Sequence, residues 1–358
     1  NLIINEAAFS STDCPIFELK YPLNHFFSIK DFHEYYGEKY YSKKLKNKNV
    51  GKYISDIKKD VRFKSTKNIF SEVTRDKDLF NNYAKCRAIV ENNLKKIFNG
   101  KIKKISFLDH HTCHAYYGKY SIDVKEKKFA VVVLDSMGDG INQSIWINDP
   151  NKNQLKNILR NSQCQLARIY KFVTLLLNMK PDEHEFKVMG MAPYARKKYY
   201  MQIYKDVFKN ILKFKGLAII HKNRPKDLYQ YLKTKLKYHR FDNISGATQY
   251  YLEKIVLELL HRIYKKYKIN TFFFSGGVSM NIKMYNIFLK DKKIKKIYNA
   301  PSGSDESIPI GACYYLNRKM ISYPLENLSL GMHMIKDNQS LKNIIKENFK
   351  RNYKIKFN

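Results

Sequence analysis

Asp109-His110-His111-Thr112-Cys113-His114-Ala115 constrains this chain more than any other stretch. It follows Lys104–Leu108, which reads as a buried strand. If the chain turns helical after Leu108, His110 and His114 stand four apart and share one helix face, one turn apart. Neutral imidazole is the commonest protein metal ligand, so the pair reads as chelating. Two histidines do not close a site, and carboxylates have to arrive from elsewhere in the chain. The competing reading is a helix N-terminus with incidental histidines, because a motif needs its structural context. His111 lies off the shared face. It reads as a histidine that supports the pair or activates an acceptor, not as a ligand.

The chain has 358 residues, enough for two subdomains, and an apolar share of 44 %, enough to bury a sizeable core. Cys14, Cys86, Cys113, Cys164 and Cys313 are scattered and form no CxxC pair, which points to reduced thiols in a cytoplasmic protein. No apolar run reaches the ~18 residues of a membrane-spanning helix, and no signal peptide is evident. The 67 Lys+Arg against 32 Asp+Glu leave a net charge of +35. Such a charge can mark a nucleic-acid partner. Abundant Lys, Asn, Ile, Tyr and Phe with sparse Gly and Pro instead follow AT-rich codons. No RNA-binding motif or arginine-rich arm is present, so codon usage is the preferred explanation.

In chain order, Leu2–Ile4 can form a strand and Phe27–Tyr36 a helix with Ser28 as N-cap. Lys43–Lys59 reads as a solvated segment, and Asp78–Phe98 as a helix closed by Asn99-Gly100. Phe129–Leu134 is a continuous apolar run, a strand buried on both faces, with Asp135 at its end and a glycine turn, Ser136–Gly140, before a returning strand at Ile141–Ile147. Asp135 can face a phosphate-bound metal there, or the segment can be a plain Asp-Gly hairpin turn. A helix spans 162–179, and Lys180–Ala195 reads as a loop rich in Gly, Pro and ionisable groups. Within it Lys187 can meet a phosphate as a point charge or be one more surface lysine. The clearest helix spans 244–267. Strand Thr271–Phe274 then runs into Ser275-Gly276-Gly277 and a helix, an arrangement that cradles phosphate but also serves ordinary tight turns. Asp305 sits in the loop after strand Ile294–Asn299, at a strand's carboxyl end, where α/β sheets place ligand groups. A helix begins at Ile308.

Six motifs occur in one order: Phe27–Tyr36, His110–Ala115, Leu134–Gly140, Glu185–Tyr194, Ser275–Asn281 and Pro301–Ala312. Together they resemble the O-carbamoyltransferases of antibiotic and nodulation-factor biosynthesis, across nearly the whole chain. The resemblance implies an α/β fold of the actin-like, sugar-kinase-like ATPase superfold, two subdomains around a nucleotide cleft. On that frame residues 1–150 are the first subdomain, 151–325 the second, and 326–358 a linker toward a YrdC-like domain.

The implied chemistry makes carbamoyl-adenylate from ATP and carbamoyl phosphate at the YrdC-like domain. The carbamoyl group then passes to a hydroxyl of a small molecule or glycan. By match to the family, His110, His114, Asp135 and Asp305 hold a divalent metal, and two imidazoles with two carboxylates suit Fe, Mn or Zn. Gly138, Asp139, Ser275, Gly276, Gly277 and Asn281 form the nucleotide and carbamoyl-adenylate set, with His111 and Lys187 as catalytic candidates. A sugar-kinase-like phosphotransferase and a tRNA threonylcarbamoyl-modification subunit are the alternatives. The family's opening motif has no counterpart here and a YrdC-like domain is missing, so the chain is expected to need those segments, or a YrdC-like partner, for turnover.

Overall fold

The computed structural model describes residues 4–10, 28–34, 83–122, 126–149, 154–223 and 227–318. Ile4–Phe9 (β1) pairs in parallel with Ile102–Phe107 (β2), Ile4 opposite Ile102. The central sheet begins with Ala130–Gly138 (β3), Ile141–Asp149 (β4) and Gln154–Asn161 (β5), joined as antiparallel neighbours. Leu212–Lys215 (β6) and Ala218–His221 (β7) form a separate hairpin. Thr271–Ser275 (β8) and Lys296–Asn299 (β9) complete the central sheet in the order β5-β4-β3-β8-β9, with β3, β8 and β9 parallel. The sheet thus draws strands from both sides of residue 150.

Helices fill the remainder: Ile29–Glu34 (α1), Tyr83–Ile97 (α2), His110–Tyr120 (α3), Leu166–Leu176 (α4), Glu185–Met191 (α5), Lys197–Ile203 (α6), Leu228–Leu236 (α7), Phe241–Tyr267 (α8), Ile282–Phe288 (α9) and Ile308–Leu316 (α10). This is a mixed α/β protein. The chain divides into two units, Asn1–Tyr323 and Pro324–Asn358, and every described residue lies in the first. The segments read from sequence at 43–59, 78–82 and 326–358 lie outside the described residues.

The unbroken apolar run of β3 follows from burial on both faces. Ala130, Val132 and Leu134 join Phe272 and Phe274 in a core with α4, α7 and α8. Val131 and Val133 join Phe273, Tyr116, Tyr117 and Tyr120 in a second core under α3. Successive strand side chains point to opposite faces, so one run supplies both cores. Each such side chain contributes about 1.5–3 kcal/mol when fully buried. Among the described residues no helix is long and apolar enough to cross a membrane.

One segment departs from the sequence reading. Lys180–Ala195 is not a loop throughout, because α5 spans Glu185–Met191 and a 3₁₀ turn follows at Ala192–Tyr194. The Glu185 side chain accepts the Asp182 N–H at 2.9 Å, and Val188 is buried between the glycine and proline positions that suggested a loop. A side chain tied back to the preceding turn and one buried apolar anchor outweigh a lone Gly190 near the helix end.

Candidate metal centre

The carboxyl ends of β2, β3, β8 and β9 supply all the groups that converge. At the end of β2, Asp109 caps α3 by accepting the Thr112 N–H at 2.8 Å, and Arg160 pairs with its second oxygen. Asp139 accepts the His110 N–H at 2.8 Å. Two carboxylates at a helix N-terminus satisfy exposed N–H groups and suit the helix dipole. They fix the first turn of α3, and i,i+4 spacing brings the rings of His110 and His114 to 4.8 Å.

At the end of β3 the hairpin turn and Asp135 fall on different parts of the segment. Asp139 and Gly140 have φ of 49° and 76°, the two positive angles of a type I′ hairpin turn. Asp135 lies earlier, where the β3–β4 register shifts between Leu134 and Gly138. Such a bulge re-aims a side chain, and Asp135 Oδ2 comes 3.2 Å from His110 Nε2. Gly138 is required beside it. A Cβ there would stand 2.1 Å from His110 Cδ2, so only glycine leaves room for the imidazole.

Asp305 completes the group from a 3₁₀ turn after β9, its Oδ1 3.4 Å from His114 Nε2 and 3.6 Å from His110 Nε2. The ligand atoms of His110, His114, Asp135 and Asp305 all lie within 4.8 Å of one another. An ion with bonds of about 2.0–2.2 Å sets its ligands up to about 4.4 Å apart, so a small contraction makes these four a coordinating set. The buried Nε2 of His114 has no hydrogen-bond partner. A buried polar atom without a partner is costly and calls for an explanation. A cation at this point supplies one, and the two-nitrogen, two-oxygen donor set fits a divalent ion.

The electrostatics agree. Burial opposes charge on His110, but the Asp135 carboxylate beside it prevails and raises its pKa to about 8. Burial likewise opposes charge on Asp135, yet the hydrogen bond from His110 and the surrounding imidazoles hold it well below the usual carboxylate range.

The remaining candidates divide. His111 is buried, with Nδ1 3.0 Å from Ser144 Oγ and Nε2 3.2 Å from the Ile141 carbonyl, and burial lowers its pKa to about 3. Both nitrogens face the hairpin behind the cluster, which gives His111 the place of a support for α3. Lys187 is exposed on α5, its Nζ 5.7 Å from the Phe186 ring centre, and no ion pair among the described residues joins it to the four-residue group. Ser275 ends β8 and its Oγ lies 3.4 Å from His114 Nδ1. Gly276 has φ of 84°, and a Cβ there would stand 2.6 Å from the Leu134 carbonyl, so the turn requires glycine. The Gly277 N–H, expected to face a phosphate, donates to Asp135 Oδ1 at 3.1 Å. Asn281 caps α9 and pairs with Gln249. Sequence reading passed over Gln249, which sat in an apolar helix pattern without a motif.

Among known proteins, MJ1051 of Methanocaldococcus jannaschii, itself uncharacterized, is 30% identical over 274 residues, 74% of this chain and 51% of that protein. MJ1058 of the same organism, also uncharacterized, is 26% identical over 242 residues, 62% of this chain and 38% of that protein. The chain thus spans about half or less of the length of these relatives. A crystal structure of full-length HypF in its phosphate- and nucleotide-bound form has a TM-score of 0.38 at 13% identity, covering 66% of this chain and 50% of that one. Residues 18–314 match the family described as Carbamoyltransferase N-terminus, a span that contains His110, His114, Asp135 and Asp305. By that match the chain belongs to the carbamoyltransferase N-terminal domain family.

Proposed function

We propose that this chain is the transferase part of a metal-assisted O-carbamoyltransferase, on an actin-like frame whose cleft opens at the carboxyl ends of β3, β8 and β9. The observation that carries the reading is the convergence of His110, His114, Asp135 and Asp305 around an unpartnered buried nitrogen, within a family of carbamoyltransferases. These four residues hold a divalent ion, Fe, Mn or Zn, which when bound supplies Lewis acidity toward a carbamoyl or phosphate oxygen.

The chain's own groups bind and orient. The segment Ser275–Asn281, with Gly138 and Asp139 across from it, receives carbamoyl-adenylate, made from ATP and carbamoyl phosphate by a YrdC-like domain or subunit. The acceptor hydroxyl, on a small molecule or glycan, attacks the carbamoyl carbon. The bond from that carbon to the phosphate oxygen breaks, AMP leaves, and the hydroxyl proton passes to a base. Asp109 and Asp139 hold α3 so that the histidine pair keeps its aim, and His111 braces it from Ser144 and Ile141. Lys187, exposed near the motif loop, is available to an anionic group of the donor. A water-poor cleft would protect the mixed anhydride from hydrolysis.

The test combines the chain with a YrdC-like partner, ATP, carbamoyl phosphate and a panel of sugars, with mass detection of product. A gain of one carbamoyl group, dependent on carbamoyl phosphate, supports the reading. A phosphorylated sugar formed without carbamoyl phosphate overturns it in favour of a kinase.

A further inference from the structure

The carboxamide of Gln249, midway along the first half of α8, is buried and has every hydrogen-bonding position filled. Its Oε1 accepts from Asn281 Nδ2 at 2.8 Å and from the Tyr170 hydroxyl at 3.1 Å. Its Nε2 donates to Asn281 Oδ1 at 2.9 Å and to Glu253 Oε1 at 2.8 Å. An amide side chain offers two acceptor and two donor positions, and here four partners use all four. The pairing with Asn281 is reciprocal, two parallel amide hydrogen bonds between residues 32 apart in sequence.

Asn281 is the far end of the Gly276–Gly277 turn. Its Oδ1 also accepts the Met284 N–H at 3.3 Å, capping α9, so its carbonyl oxygen is fully engaged with the protein. The turn itself is closed by the Ser279 N–H donating to the Gly276 carbonyl at 2.8 Å. Its near end is tied to Asp135 through the Gly277 N–H. One end of the turn is therefore anchored on the metal cluster and the other on the longest helix. Three elements meet at Gln249: α4 through Tyr170, α8 itself, and the turn through Asn281.

We propose that Gln249 is a positioning residue for the Gly276–Asn281 turn, acting through Asn281, with Tyr170 and Glu253 fixing the orientation of its carboxamide. It touches no reacting atom. Its effect is on where the backbone of the turn lies and how rigidly it is held, because a fully satisfied buried network has one arrangement and a broken one leaves groups unpaired. The value of that placement for donor binding rests on the functional reading above.

The experiment measures amide hydrogen exchange by mass spectrometry on peptides covering 276–284 and, as reference, β4 and β5. Gln249→Met keeps the length of the side chain without its polar atoms. Asn281→Ser keeps an oxygen able to cap α9 while removing the amide. Both variants should raise exchange across 276–284 about tenfold, the change expected for one net hydrogen bond, with β4–β5 unchanged. Glu258→Gln, on the same helix but paired with Arg262 and outside the network, should leave it near wild type. Unchanged exchange at 276–284 in Gln249→Met overturns the proposal, as does an equal rise in the β4–β5 reference. If Gln249→Met does not fold, Asn281→Ser alone decides by the same criterion. ATP titration is run in parallel. Weaker ATP binding in both variants, with metal content unchanged, ties the clamp to the nucleotide. If wild type binds no ATP while the exchange result holds, the clamp stands and the functional reading of the turn fails.

Discussion

The two halves of α3 are both buried, yet they are buried in different ways. In the first half His110, His111 and His114 carry polar rings into the interior and find Asp135, Ser144, the Ile141 carbonyl and Ser275. In the second half Tyr116, Tyr117 and Tyr120 pack against Val131, Val133 and Phe273, with Tyr116 and Tyr120 stacked at 6.0 Å. The second half is core held by aromatic packing, with the Tyr120 hydroxyl buried and without a hydrogen bond. The first keeps His114 Nε2 without a hydrogen bond and brings Asp305, a carboxylate whose side chain is 67% exposed, to 3.4 Å from it. A helix can thus be locked by one end and left chemically open at the other.

Removing the two candidate metal-binding histidines should have the largest effect. His110→Ala with His114→Ala deletes both imidazoles, and elemental analysis of purified protein should show divalent metal falling to background. Metal retained at the wild-type level would remove the first half of α3 from the site. Because the aromatic half is untouched, the variant should still unfold cooperatively.

Two glycines come next, one against the backbone of α3 and one against the His110 ring. Gly311 on α10 lies against the helix, and a Cβ there would stand 2.0 Å from the Cys113 carbonyl oxygen, a backbone atom that cannot rotate away. Gly311→Ala should lower stability by about 3 kcal/mol, at the upper end for overpacking. Gly138→Ala meets a side chain instead. It should lose about 1–3 kcal/mol and lose metal affinity as the His110 ring is displaced. Unchanged metal affinity in Gly138→Ala would show that the His110 ring takes no part in holding a metal.

Much of this was legible in the sequence, and the rest was not for identifiable reasons. The i,i+4 histidines, the apolar runs of β3 and β8 and the long α8 announce themselves by periodicity, and the structure has them. Asp139 and Gly138 were read as groups for a nucleotide; their contacts with His110 were not legible, because a bulge cannot be counted from spacing alone. The N-H of Gly277 and the amide of Asn281 turn inward to Asp135 and Gln249, contacts that join residues far apart in sequence. The segment 196–243, with α6, β6, β7 and α7, carried no motif and was left unassigned.

Asp305→Asn probes the open side. The side chain is largely exposed, so its loss should leave thermal stability near wild type. Metal affinity should fall about 10–100-fold, the range for disturbing the partners of a metal site, measured by competition with a chromophoric chelator. An unchanged affinity would assign coordination to the buried trio alone.

The smallest effect is expected at Lys119, on the aromatic half. It is buried, and burial lowers its pKa to about 8 from 10.5. Its Nζ lies 4.6 Å from the Tyr120 ring centre. A lysine whose folded pKa is depressed binds fewer protons folded than unfolded between those two values. Stability contributed by this group therefore rises with pH from about 8 to 10.5, and below pH 8 the fold carries a buried charge at a penalty. Lys119→Met removes the penalty and also the cation–π contact, worth about 0.5–1 kcal/mol in the opposite direction. With solvent screening the net gain at pH 7 should be under about 1 kcal/mol. The decisive quantity is the difference in Tm between variant and wild type, since other titrating groups cancel in it. That difference should favour the variant most near pH 7 and shrink steadily toward pH 10, and a difference independent of pH would show that Lys119 keeps an ordinary pKa within the aromatic half.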